Sequence, residues 1–127
     1  MPTAVLLIAH GSRRAAANAD LDELATLLRV QNVAPIIETS YLDVAAPDIP
    51  TGARACIARG ADIVKMFPYF LSAGAHVVDD LQHYQRELSA EFPNVEFVVC
   101  PHLGLHPLMV QIVLDRLGEP PSPSPAG

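Results

Sequence analysis

Positive charge is scarce in this chain. Lys and Arg number 8 against 14 Asp and Glu, for a net charge of −6. Clusters able to neutralise a phosphate backbone are missing, which excludes general nucleic-acid binding. Cysteine is also scarce: Cys56 and Cys100 stand alone and form no CxxC pair, so a zinc knuckle or thioredoxin-type motif is excluded. Cys100 sits in an apolar, strand-like run and reads as a core thiol. No apolar run approaches the length of a membrane span. The opening residues carry neither a basic region nor a cleavage signal, so a cytoplasmic protein off the membrane is expected. P-loop, GxGxxG, His-Glu-x-x-His and Ser-His-Asp patterns are all absent. Whatever chemistry the chain performs proceeds without ATP bound by it.

What is present is apolar. Half of the 127 residues are hydrophobic and only 17% are charged, which suits a small α/β domain with a fully covered sheet. It also leaves apolar surface for a subunit interface or a ligand cleft. A chain of this length favours one domain, placed at residues 1–118, with the Pro/Ser-rich tail 119–127 expected to be disordered.

Residues 3–9 are continuously apolar and read as a strand buried on both faces. Ala17, Leu21, Leu24, Leu27 and Leu28 recur at helical spacing within a helix over 14–31, which Ser12 can cap. A second strand, 34–42, alternates more and suggests a sheet edge. A helix opens near Ala46-Pro47-Asp48, with Pro50 in its first turn, and stops near Gly60. A strand over 62–67, an apolar loop from Pro68 to His76 and a helix over 77–91 follow. A strand over 95–100 and a helix over 107–117 complete the order βαβαβαβα. That order predicts an α/β fold, a three-layer doubly wound sheet of about four parallel strands with right-handed crossovers.

Three strand-like runs each deliver a histidine at or just beyond their C-terminal ends: His10, His76 and His102. In an open parallel sheet that edge binds ligands. Imidazole suits both a borderline divalent metal and proton transfer near neutrality. His10 leads into Gly11-Ser12-Arg13-Arg14, where a helix N-terminus and cations favour an anion. The loop 67–76 carries too much apolar surface to face water without a function: it lines a pocket for a flat hydrophobic ligand, or it is an interface loop with a buried His. His102 and His106, four residues apart, read either as a histidine pair or as turn residues before the last helix. His83 reads as a solvated-face residue. Asp43 ends the second strand at the same edge, and Asp79 and Asp80 fall in the first turn of the third helix.

Taken together, Leu7-Ile8-Ala9-His10-Gly11-Ser12-Arg13, Tyr41-Leu42-Asp43 with Pro47, Pro68-Tyr69-Phe70-Leu71-Ser72-Ala73-Gly74-Ala75-His76 with Asp80-Leu81, and Pro101-His102-Leu103-Gly104-Leu105-His106-Pro107 resemble the CbiX-type class II chelatases. These are the short sirohydrochlorin cobaltochelatases and ferrochelatases, and the resemblance runs from about Thr3 to Leu117. It implies a chelatase-like half-lobe acting as a homodimer. The implied reaction is ATP-independent insertion of Co²⁺, Fe²⁺ or Ni²⁺, with Co²⁺ foremost, into sirohydrochlorin in cobalamin or siroheme biosynthesis. His10 and His76 would bind the metal and take the pyrrole protons, while Ser12, Arg13, Phe70, Leu71 and Gly74 would contact the tetrapyrrole. Two positions depart from the family: Asp43 replaces its usual Glu, which weakens a metal-delivery role there, and Gln82 replaces the Pro of its Asp-Ile-Pro. A non-catalytic carrier of metal or tetrapyrrole on the same fold, and an interaction domain with structural histidines, are the competing readings.

Overall fold

The computed structural model describes residues 2–122. The order is β1 (Thr3–Ala9), α1 (Ala15–Val30), β2 (Ile36–Tyr41), α2 (Ile49–Ala58), β3 (Ile63–Pro68), α3 (Ala75–Glu91), β4 (Glu96–Val99) and α4 (Pro107–Leu117). The four strands form one parallel sheet in the order β2-β1-β3-β4. The expected α/β architecture and the edge position of β2 are both present.

β1 is hydrogen-bonded on both sides, and this explains its unbroken apolar run. Ala4, Leu6 and Ile8 join Val64, Met66 and Phe97 beneath α2 and α3. Leu7 points the other way, against Ile37, Tyr41 and the α1 residues Leu21 and Ala25. A strand with a core on each face has no position left for a polar side chain. Ser40 is the exception on β2; buried completely, it donates its hydroxyl to the Leu7 carbonyl at 3.0 Å.

Local chemistry sets the helix ends. Asp48 caps α2 by accepting from the Thr51 N–H at 2.9 Å, and Pro50 sits in the first turn. At the other end of α2, Gly60 takes φ +101°; its N–H and that of Ala61 reach back to Ile57 and Cys56, closing the helix. His106 caps α4 through its Nδ1, which accepts from the Leu108 N–H at 3.1 Å.

Several sequence expectations shift. α3 begins at Ala75, two residues before the expected start, so His76 lies in its first turn and Asp79 and Asp80 in its second. The cause is Gly74, which serves as N-cap with extended backbone and no capping side chain to mark it in the sequence. Ser12 is not the cap of α1: that position belongs to Arg14, and the Ser12 hydroxyl accepts from the Arg14 N–H instead. Cys100 is half-buried beyond the end of β4, while Cys56 is the core thiol, its pKa pushed up to about 12 by burial.

The sheet is not fully covered. α2 and α3 pack on one face, whereas α1 alone packs on the other. Among the described residues, α4 packs against no other element and buries no side chain. Of the expected disordered tail, Glu119 turns back to pair with Arg116 at 3.0 Å, and residues 123–127 lie outside the described residues.

Candidate active site

β1 connects through α1 to β2 on one side, and β3 connects through α3 to β4 on the other. The crevice between the C-terminal ends of β1 and β3 is therefore the topological switch point, where connections leave in opposite directions and backbone groups stay open to a ligand. Ile8 is in register with Pro68, and the Tyr69 N–H donates to the Ile8 carbonyl at 2.7 Å, stitching the two strand ends together.

His10 leaves β1 directly into this crevice and is exposed. Its imidazole stacks on the Phe70 ring, with centroids 4.2 Å apart and planes 28° apart. Phe70 is itself 3% exposed and packed into the core. A buried, rigid ring thus forms a platform that fixes the plane of an exposed one. Phe70 belongs to the loop between β3 and α3, and the same loop ends at His76, exposed in the first turn of α3. Two histidines from separate strand ends are delivered to one edge. Among the described residues, no three His, Cys, Asp or Glu side chains converge as a ready-made metal cage.

The segment carrying His10 is held from three directions. The Asp43 N–H donates to the His10 carbonyl at 3.0 Å. Gly11 has φ +94°, and a Cβ there would run into the Asp43 carbonyl oxygen, so no larger residue fits. The Asn18 side chain clamps Ser12, accepting from its N–H at 2.9 Å and donating to its carbonyl at 2.8 Å. The Asn18 carbonyl in turn accepts the Tyr41 hydroxyl at 2.8 Å. Burial, followed by the nearby Asp22 charge, raises the Tyr41 pKa and keeps that phenol a donor. Sequence reasoning missed Asn18 and quoted Tyr41 only as part of the Tyr41-Leu42-Asp43 motif, since nothing separates Asn18 from a solvated helix residue until the chain folds.

The two helices flanking the crevice share a property. α1 and α3 lack any side-chain N-cap, whereas α2 and α4 have one. The amides at both crevice-side helix starts stay available to an anion. Arg13 and Arg14 are exposed beside the first of them, and Leu71, 67% exposed, presents apolar surface from the loop. Gly74 has open space around it. Asp43 is exposed, with its carboxylate turned onto the Val44 N–H at 2.8 Å.

Of the remaining histidines, two are engaged elsewhere. His83 pairs with Glu87 on the exposed face of α3, as expected of a solvated residue. His106 is occupied as the α4 cap. His102 lies over Gly104, at the end of a cavity of about 590 Å³ that runs along the β4 edge past Gln85 and Cys100.

The CbiX family model matches residues 4–120. The chain is 29% identical over 113 residues to the chloroplastic sirohydrochlorin ferrochelatase of Arabidopsis thaliana, covering 89% of this chain and 50% of the relative. It is 32% identical over 117 residues to the sirohydrochlorin cobaltochelatase of Priestia megaterium, covering 92% and 38%. The crystal structure of the sirohydrochlorin chelatase SirB from Bacillus subtilis subspecies spizizenii in complex with cobalt superposes with a TM-score of 0.84 at 26% identity, covering 92% of this chain and 50% of that one. The chain thus spans half or less of the length of these relatives.

Proposed function

From a chain that belongs to the CbiX family, we propose a cytoplasmic sirohydrochlorin chelatase that inserts a divalent metal without ATP, Co²⁺ first among Co²⁺, Fe²⁺ and Ni²⁺, and that works as a homodimer in cobalamin or siroheme biosynthesis. The observation that carries the reading is the exposed His10 imidazole, held face-on against Phe70 at the switch-point crevice. Relatives bearing both ferrochelatase and cobaltochelatase names support the substrate and leave the metal open.

Insertion exchanges two pyrrole N–H protons for one M²⁺. The metal must be held firmly enough to be presented and loosely enough to be given up. Neutral imidazoles of His10 and His76 suit Co²⁺, Ni²⁺ or Fe²⁺ in this way, where thiolates would trap the ion. As each metal–nitrogen bond breaks, the freed imidazole nitrogen can accept a proton displaced from the macrocycle. The Phe70 platform fixes the direction in which the His10 nitrogens point, so little reorganisation is needed between the two tasks. Leu71 offers apolar surface to the macrocycle. Its peripheral carboxylates meet Ser12, Arg13 and the uncapped amides behind Gly74 and Arg14. At net charge −6, long-range attraction of a polyanion is absent, and these local donors supply the recognition.

The test is anaerobic absorbance spectroscopy of sirohydrochlorin with catalytic protein and Co²⁺, Ni²⁺ or Fe²⁺ in turn. Multiple-turnover acceleration that is lost in His10→Ala and in His76→Ala, with both variants folded, is the expected result. A spectral shift saturating at stoichiometric protein would identify a carrier instead. Undiminished rates in both variants would overturn the site.

A further inference from the structure

Four of the five histidines have a place. His10 and His76 stand at the strand-end edge, His83 pairs with Glu87, and His106 caps α4. The exposed His102 instead borders the cavity of about 590 Å³ between α3 and the open edge of β4. Gly104 makes room for it: a Cβ there would come within 3.2 Å of the imidazole Nε2. The same glycine donates its N–H to the Phe70 carbonyl at 3.4 Å, which fastens the turn that carries the ring.

Cys100 lines the same cavity. Its N–H donates to the Met66 carbonyl at 2.9 Å, so the β4 ladder runs on to this residue. Pro101, the next residue, disfavours a helical turn at Cys100. In extended chain, side chains two residues apart leave on the same side, and this is the relation of Cys100 to His102. α3 supplies a third donor. Val78, Gln82 and Gln85 fall on one face of that helix and form the wall opposite β4. Gln85 is committed to the Phe97 carbonyl at 2.8 Å and holds α3 against β4. Gln82 is exposed and lies about one turn nearer the strand ends. It stands where the family carries Pro, which has no side-chain donor.

We infer that Cys100, His102 and Gln82 form a second metal site, which takes a borderline divalent ion such as Zn²⁺ or Co²⁺ apart from the crevice. Such ions favour a thiolate and a neutral imidazole, and a carboxamide oxygen with water completes a four-coordinate sphere. The cage is not closed. Among the described residues no three His, Cys, Asp or Glu side chains converge, so water keeps a position and the ion can exchange. Coordination displaces the thiol proton to solvent and leaves the sulfur as thiolate. Neither His10, Phe70 nor His76 lines this cavity. His76 precedes Val78 by two residues, about 200° around α3, so the two sites face opposite sides of that helix. The crevice imidazoles present an ion for release, whereas a thiolate retains one.

The experiment is anaerobic titration of the full chain with Co²⁺ and no tetrapyrrole, followed by the near-ultraviolet charge-transfer absorbance of a Co²⁺–thiolate bond. The other cysteine, Cys56, is fully buried, and burial pushes its pKa up to about 12, so the band reports Cys100. Wild type is expected to develop the band to a stoichiometric end point, and a His10→Ala, His76→Ala double variant to develop it equally. Cys100→Ser is expected to abolish it. His102→Ala alters an exposed residue and is expected to weaken Co²⁺ binding at least about tenfold, with Gln82→Ala weakening it by a smaller factor. Circular dichroism is the folding control. No band in wild type, a band that survives Cys100→Ser, or unchanged affinity in His102→Ala overturns the site, as does loss of the band in the crevice double variant. The outcome is independent of the chelatase reading. A protein that inserts metal without showing the band loses only this site, and one that shows the band without insertion loses only that reading.

Discussion

The His10 imidazole rests on the Phe70 ring with centroids 4.2 Å apart, so an exposed functional side chain takes its orientation from a buried one on a different strand end. An aromatic stack of this kind contributes about 0.5–1.5 kcal/mol beyond burial. Phe70→Leu retains most of the buried volume and removes the stack. Metal insertion is expected to slow by up to about tenfold, the rate equivalent of that energy, with a smaller change in the metal concentration giving half-maximal rate. Initial rates across a metal titration check this, and an unchanged rate would show that the stack does not orient His10.

Asn18 acts on the site through Ser12. Asn18→Ala removes both hydrogen bonds to Ser12 and is expected to cost about 1–2 kcal/mol of stability, read by urea unfolding. Insertion is expected to slow as well, because the Gly11–Arg14 segment loses its clamp. Asn18→Asp restores the acceptor but not the donor and is expected to fall between alanine and wild type in both measurements.

Gly11 allows the chain to turn where the Asp43 carbonyl stands in the way. Gly11→Ala forces a side chain into positive φ and against that oxygen. A loss of at least about 1–2 kcal/mol is expected, together with loss of insertion activity, since His10 is the preceding residue. A fully active, equally stable alanine variant would contradict the geometry.

Asp48 gives the fold a predictable acid response. Hydrogen bonds from Thr51 hold its carboxyl below the usual carboxylate range. A carboxyl lowered in the folded state adds stability above its unfolded pKa of about 3.9 and loses it as pH falls through the lower folded value. Asp48→Ala is expected to cost about 1 kcal/mol at pH 7, with the difference from wild type shrinking below pH 4. Asp48→Asn keeps a capping oxygen and is expected to remain close to wild type at neutral pH without that acid-dependent loss. Urea midpoints measured from pH 3 to pH 7 test both.

Much of this architecture was legible in the residues. The unbroken apolar run of β1 reports a strand with a core on both faces, and the alternation in β2 reports an edge; the sheet order places both accordingly. His10 was readable because a histidine between an apolar strand and a glycine stands where parallel sheets bind ligands. The start of α3 was not, because Gly74 caps it by backbone conformation alone. Phe70 read as a pocket wall and proved to be a buried platform, since one apolar residue in an apolar loop carries no sign of which side it faces. The isolation of α4 was equally invisible: helical periodicity records that a face must be covered and not by what.

The central position of β1 has a consequence for how the protein is made. β1 is synthesised before both of its hydrogen-bonding partners, which end at Tyr41 and Pro68. Until residue 68 has cleared the ribosome, the most apolar strand of the molecule has one edge exposed and its α2–α3 face without Val64 and Met66. Pairings this distant in sequence form slowly, and unpaired apolar edges invite association. The interval between synthesis of β1 and emergence of β3 is thus when this lobe most needs a chaperone, and a translational pause within it is expected to lower soluble yield more than a pause after Pro68 has emerged.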